Sequence, residues 1–186
     1  MGMGSEWVDH PSWELVVEAS DISGRDLATL LLQADDDELT QTRNAQLATF
    51  LISMVIFDAV QRTGVDAAAH AGHSLGEYSA LTASGSLDFE DAVGLVSERG
   101  EAMQVCAETH EGTMAAILGL DDDLVESACH RVDDDVWVAN FNAPGQIVIA
   151  GSPSGVEAAS DVAKDIGAKR AMRLPVSGAF HTPYME

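Results

Sequence analysis

Gly72-His73-Ser74-Leu75-Gly76 is the stretch of this chain whose residue types and spacing describe a reaction centre. It fits G-x-S-x-G. There, glycines permit a sharp strand-to-helix turn that pushes the serine hydroxyl out at the head of a helix, where backbone N–H groups can hold an oxyanion. A glycine-rich turn with no chemistry satisfies the same pattern, so the setting has to decide. Residues 65–72 are short, small and bounded by glycines, as a buried strand would be. Residues 75–83 follow with a helical pattern, closed by Gly85. The chemistry that fits is nucleophilic catalysis through a serine ester, which needs a base near Ser74.

The elements around this turn can be read from capping residues and periodicity. Residues 12–19 and 25–33 read as short helices, and Asp35-Asp36-Asp37 starts a further turn of helix. Thr40 reads as the cap of a long helix through Arg62, apolar on nearly every side in its middle and therefore deeply buried. Asp88 caps the next helix, which runs to about Gln104. From Gly112 the pattern changes. Strands over 113–118, 136–142, 146–150 and 169–174 alternate with helices over 121–132 and 153–166, giving the order β-α-β-β-α-β. The expected fold is α/β: an α/β-hydrolase-like body (1–111 and 175–186) carrying the nucleophile elbow, with an inserted ferredoxin-like subdomain (112–174). Residues 1–111 offer a single convincing strand, and one strand cannot make a parallel sheet. Its partners are therefore expected outside this chain, which reads as truncated at both ends.

The residues flanking the elbow carry a resemblance. The run Ala71-Gly72-His73-Ser74-Leu75-Gly76-Glu77-Tyr78-Ser79-Ala80-Leu81 resembles the nucleophile segment of malonyl-CoA:acyl-carrier-protein transacylases and of polyketide-synthase acyltransferase domains. The likeness continues at Arg99-Gly100 with Met103-Gln104 and from Asn140 through Gly151. It continues again at Leu174-Pro175-Val176-Ser177-Gly178-Ala179-Phe180-His181, and extends to Met3-Gly4 and Thr42 to Gln46.

This resemblance implies an enzyme that moves a malonyl group from malonyl-CoA to the phosphopantetheine thiol of an acyl carrier protein through a Ser74 acyl-enzyme, without a cofactor. Ser74 would be the nucleophile and His181 its general base in a Ser–His dyad. Leu75 would lend its backbone N–H to the oxyanion hole. Arg99 would grip the free malonyl carboxylate with two parallel hydrogen bonds. Without the resemblance, Arg99 reads as a surface residue paired to Glu98 or Glu101 on its own helix. His73, Phe180 and Asn142 join the substrate-contacting set. Phe180 either crowds an α-methyl group or simply packs, and Asn142 either lines a cleft between the subdomains or touches substrate. A Gly-Gln-Gly loop, expected to supply a second oxyanion donor, would precede Met1. Lys169, Arg170 and Arg173, the basic cluster of an acidic chain, are either a docking patch for the acidic carrier protein or partners of neighbouring aspartates. The alternatives are a polyketide-synthase-type acyltransferase, an α/β-hydrolase esterase that shares the elbow, and a non-catalytic fragment that keeps the fold.

Composition narrows the rest. The 186 residues are 46% apolar, which predicts a packed core. The formal charge of −22 comes from 31 acidic against nine basic residues, of which only Lys164 and Lys169 are lysines. Such a surface is a poor partner for nucleic acid or anionic membranes, and the scarcity of lysine points to a salt-rich cell that screens self-repulsion. Cys106 and Cys129 stand in unrelated contexts, giving neither a disulfide framework nor a zinc spacing. With no signal peptide visible, a cytoplasmic location is expected. The most apolar run, 47–57, is too short to span a bilayer and reads as a buried helix. His70 and His73 have metal-like spacing but no accompanying ligands, so no metal site is expected; His10, His70, His110 and His130 read as ordinary surface or core residues.

Overall fold

The computed structural model describes residues 2–176 and 178–186; Met1 and Ser177, the latter within the Leu174–His181 motif, lie outside them. The chain divides into two compact units, Met1–Ala102 and Met103–Glu186.

All the regular secondary structure among the first unit's described residues is helical. Its helices are α1 (Glu14–Ser23), α2 (Leu27–Gln33), α3 (Asp36–Thr40), α4 (Thr42–Arg62), α5 (Gly76–Ala83) and the start of α6 (Phe89–Thr109). Two of the acidic residues act as caps. Asp26 Oδ1 accepts from the Thr29 amide at 2.9 Å, and Asp35 Oδ1 accepts from the Glu38 amide at 2.8 Å. Each satisfies an amide that the first turn leaves without a helical partner. Thr40 ends α3 rather than capping α4, because its hydroxyl bonds back to the Asp36 carbonyl at 2.8 Å.

Helix α4 organises this unit. Leu47, Phe50, Leu51, Met54 and Val55 recur at helical spacing and are buried against Val16 and Ala19 of α1, Leu27 and Leu31 of α2, and Ala92, Val93 and Val96 of α6. Phe50 stacks on Phe89 at 6.0 Å. Removing a ring so enclosed, as in Phe50→Ala, costs about 3–5 kcal/mol. The burial is one-sided, however: Ile56 and Val60 on the other face are exposed. Length and composition would let α4 cross a membrane, but its apolar stripe is the core of this unit. Gly100 of α6 lets that helix approach α4 closely, since a Cβ there would stand 3.0 Å from the Arg43 Cα. Arg43 pairs with Glu101 at 3.1 Å beside this contact.

The second unit contains β1 (Thr113–Leu118), α7 (Asp122–His130), β2 (Val136–Ala143), β3 (Gln146–Gly151), α8 (Pro153–Asp165) and β4 (Arg170–Arg173). The strands form one sheet in the order β2-β3-β1-β4, every neighbouring pair antiparallel. Alternation along the strands builds two cores. Ala115, Ile117, Ile147 and Ile149 face Val125 and Ala128 of α7 and Val156, Ala159 and Ala163 of α8. Met114, Val148 and Ala150 face the other way and meet Ala179 from the C-terminal segment. Ser152 caps α8 through the Gly155 amide, with Pro153 in the first turn where its missing N–H costs nothing. A tight turn at Pro144-Gly145 joins β2 to β3, with Gly145 at φ 71°.

The strand expected before the elbow also needs correction. Residues 65–72, expected as a buried strand, form an irregular segment exposed at every position except His70, with no backbone hydrogen bond to any described residue. Strand geometry is stabilised by a neighbouring strand. None of the described residues offers one here, so the first unit contains no sheet of an α/β-hydrolase-like body. The described residues are α/β, with one small antiparallel sheet among them.

Candidate active site

Ser74 has φ 53°, the left-handed region that residues with a Cβ avoid. Holding a non-glycine residue there costs of order 1–3 kcal/mol, so the surrounding structure must impose it. Gly72 explains how. A Cβ at this position would stand 1.8 Å from the Gly76 carbonyl oxygen and 2.4 Å from the Glu77 nitrogen. The chain therefore folds back on itself across Ser74 so closely that only glycine fits.

Helix α5 opens directly after this turn. The Gly76 amide donates to the His73 carbonyl at 2.9 Å, the Glu77 amide to the Ser74 carbonyl at 3.1 Å, and the Tyr78 amide to the Leu75 carbonyl at 3.0 Å. The Leu75 N–H has no acceptor among the described residues. Leu75 is 8% exposed and packs into the helical core, which fixes the backbone of this turn directly after Ser74. A fixed, uncommitted donor next to a nucleophile is what an oxyanion hole requires.

Arg99 reaches this turn from α6. Its Nη2 donates to Ser74 Oγ at 3.0 Å, its Nη1 bonds Gln46 Oε1 of α4, and its guanidinium lies 5.9 Å from the centre of the Tyr78 ring. Glu101, one of the two acids that a surface role would pair with Arg99, is bound by Arg43. Gln46 and Tyr78 are functional neighbours that reading the sequence by role did not single out. Both lay within runs that resemble the family, but nothing in spacing alone ties Gln46 to Ser74.

The first unit thus brings together Ser74, Leu75 and Arg99, with His73 exposed beside them. His181, Phe180 and Asn142 belong to the second unit. His181 is exposed and is the other non-glycine residue with positive φ, 60°. Phe180 is half-buried against the core of Met114, Val148, Ala150 and Ala179. Asn142 is exposed near the end of β2. The three basic residues do not form one patch. The Lys169 stem lies across Gly119, Arg173 Nε donates to Thr113 Oγ1 at 3.0 Å, and strand alternation puts Arg170 and Arg173 on opposite faces of β4. The His70 ring packs edge-on against Phe57 at 5.4 Å. Among the described residues no group of three or more His, Cys, Asp or Glu is arranged to hold a metal ion.

A serine held in a strained turn at a helix N-terminus, with a free backbone donor and a guanidinium beside its hydroxyl, can form and stabilise an ester with an acidic acyl group. Comparison with known proteins agrees with that class. The family model described as acyl transferase domain matches residues 2–186. The chain belongs to this acyl transferase domain family.

Among curated relatives, the malonyl CoA-acyl carrier protein transacylase of Bacillus subtilis is 44% identical, over 100% of this chain and 60% of its own. The enzyme of the same name from Escherichia coli K12 is 45% identical over 93% of this chain and 57% of its own. Among solved structures, the malonyl CoA-acyl carrier protein transacylase of Coxiella burnetii superposes with a TM-score of 0.94 at 38% identity, over all of this chain and 60% of that one. A malonyl-transacylase solved in complex with its type II polyketide acyl-carrier protein gives 0.93 at 41%, over all of this chain and 62% of that one. The chain thus spans about 60% of the length of the relatives it matches.

Proposed function

We propose that the protein transfers a malonyl group from malonyl-CoA to the phosphopantetheine thiol of an acyl carrier protein, in fatty-acid biosynthesis, through a covalent Ser74 ester. The single observation that carries this reading is the Arg99 guanidinium on Ser74 Oγ. An esterase gains nothing from a cation there, whereas a malonyl thioester ends in a carboxylate that a planar guanidinium can hold by two parallel bonds. The names of the Bacillus subtilis and Escherichia coli relatives, both malonyl CoA-acyl carrier protein transacylases, agree with it.

In the first half-reaction His181 takes the Ser74 proton as Oγ attacks the thioester carbonyl, and the Leu75 N–H stabilises the oxyanion. The C–S bond then breaks and coenzyme A leaves as the thiol, carrying the proton that His181 returns. In the second half His181 takes the proton of the carrier thiol. The sulfur attacks the Ser74 ester, the C–Oγ bond breaks, and the serine leaves as its hydroxyl with the proton that His181 returns. No cofactor is needed for either half. We assign His73 and Asn142 to the substrate-contacting set. Phe180 would crowd an α-methyl group, although its packing on the sheet explains its presence equally well.

In fold terms, the strained serine turn supports an α/β-hydrolase-like reading of residues 1–111 and 175–186. The element order and the sheet order β2-β3-β1-β4 support a ferredoxin-like reading of 112–174. The carrier protein would meet Arg170, exposed on β4, rather than a single patch of all three basic residues. Two free thiols suit a cytoplasmic site. The second reading, a polyketide carrier as acceptor, has in its support the likeness to the transacylase solved with one.

The test is labelling with malonyl-CoA followed by mass spectrometry of the intact protein. The parent should gain one malonyl group on the peptide containing Ser74, and Ser74→Ala should gain none while keeping its fold. A malonyl adduct that persists on Ser74→Ala overturns the assignment.

A further inference from the structure

We infer that Thr182 is a positioning residue for the reaction, acting through the backbone turn that presents His181; the inference rests on the proposed role of His181 as base. His181 sits exposed at the crown of a short turn with φ 60°, a left-handed conformation uncommon for a residue with a Cβ. The hold is visible on both sides.

Before His181, Ala179 is 1% exposed, inserted among Met114, Val148 and Ala150. It is pressed so tightly on Gly112 that a Cβ there would stand 2.6 Å from the Ala179 nitrogen. After His181, the Tyr184 hydroxyl donates to Asp135 Oδ2 at 3.0 Å, and its ring meets Trp137 at 5.5 Å and His110 at 5.3 Å. Thr182 links the two anchors. Its hydroxyl donates to the Ala179 carbonyl at 2.6 Å and accepts from the Tyr184 amide at 3.3 Å. The side chain is 8% exposed, so water competes poorly for either bond.

The hydroxyl therefore closes a ring of backbone around His181, and its loss lets the left-handed residue relax toward ordinary φ. The imidazole would then move by an amount that matters to proton transfer, which depends on near-contact geometry. The Thr182 hydroxyl touches no reacting atom in this account. It fixes the group that does.

The experiment is a double-substitution cycle in the intact protein, with kcat and KM for malonyl transfer measured beside melting temperature. Thr182→Val keeps the shape and removes both hydroxyl bonds. It should lower kcat by about 10–100-fold with KM for malonyl-CoA near the parent's. Thr182→Ser keeps the hydroxyl and should keep most of the rate. In a His181→Ala background, Thr182→Val should cause no further loss of the residual rate. Thr182→Ala makes the same test if the valine variant does not fold. A folded Thr182→Val protein with parental kcat, a serine variant as slow as the valine one, or an equal fractional loss with and without His181 overturns the positioning role. A His181→Ala protein with parental kcat overturns instead the reading of His181 on which it rests.

Discussion

The Arg99 Nη2 donates a 3.0 Å hydrogen bond to Ser74 Oγ, joining a mid-helix cation to a serine in a left-handed turn. Gln46 takes the other arm of the guanidinium and fixes its direction. A malonyl group on Ser74 would carry its carboxylate into reach of this cation. Arg99→Ala should therefore weaken malonyl transfer by roughly 2–5 kcal/mol, the cost of leaving a buried carboxylate unpaired. Acetyl transfer should suffer far less. Arg99→Lys should rescue poorly, because an ammonium cannot make two parallel bonds. Rates with malonyl-CoA and acetyl-CoA decide it, and equal losses for both would rule out the clamp.

Gly72→Ala tests the elbow without touching a reacting group. A methyl group would overlap the Gly76 carbonyl at 1.8 Å, so the turn must open. Ser74 should then leave its left-handed conformation and α5 should lose its start. The expected outcome is loss of malonyl labelling together with a lower melting temperature. Gly94 makes the control, since a Cβ there meets nothing within 4 Å. A Gly72→Ala protein labelled as fast as the parent would show that the turn does not need its present shape.

Burial, and then the nearby Glu126 charge, raise the Cys129 thiol to about 11. Cys129 is buried, whereas Cys106 is half-buried on α6. Raising the thiol from its ordinary 9.0 leaves about a hundredfold less thiolate at pH 8. Iodoacetamide should therefore label Cys106 first in the folded protein. The linkage follows from the same shift. The unfolded chain releases this proton near pH 9 and the folded one near 11, so stability is complete below 9 and falls as pH rises toward 11. Denaturant midpoints between pH 8 and 11 measure the fall, and Cys129→Ala should flatten it.

The net charge of −22 should make stability rise with KCl. As the Debye length shrinks to about 3 Å at 1 M, repulsion among exposed carboxylates weakens. Salt bridges contribute little in the opposite direction, because pairs such as Lys164–Asp161 are exposed. Melting temperature should climb from low to molar salt. A flat or falling curve would dispose of the salt adaptation.

Much of this molecule follows from local rules. The Gly72–Gly76 pattern, the strands around the Pro144-Gly145 turn and the Ser152-Pro153 start of α8 each depend on residues within a few positions of one another, so the sequence alone determined them. Helix ends shifted where competing caps lay close together, as at Thr40 and Gln41. Three matters were decided only by the tertiary structure. Residues 65–72 have the composition of a strand, but a strand exists through its neighbour, and none of the described residues supplies one. Arg99 could pair with the acids on its own helix or reach Ser74; which it does depends on where α4 puts Gln46 and on Arg43 already holding Glu101. The Thr182 hydroxyl had no role legible from spacing, because its meaning comes from the left-handed turn at His181 and from the depth at which the sheet buries Ala179. Contacts between residues far apart in sequence arise from packing, and packing is a property of the folded chain.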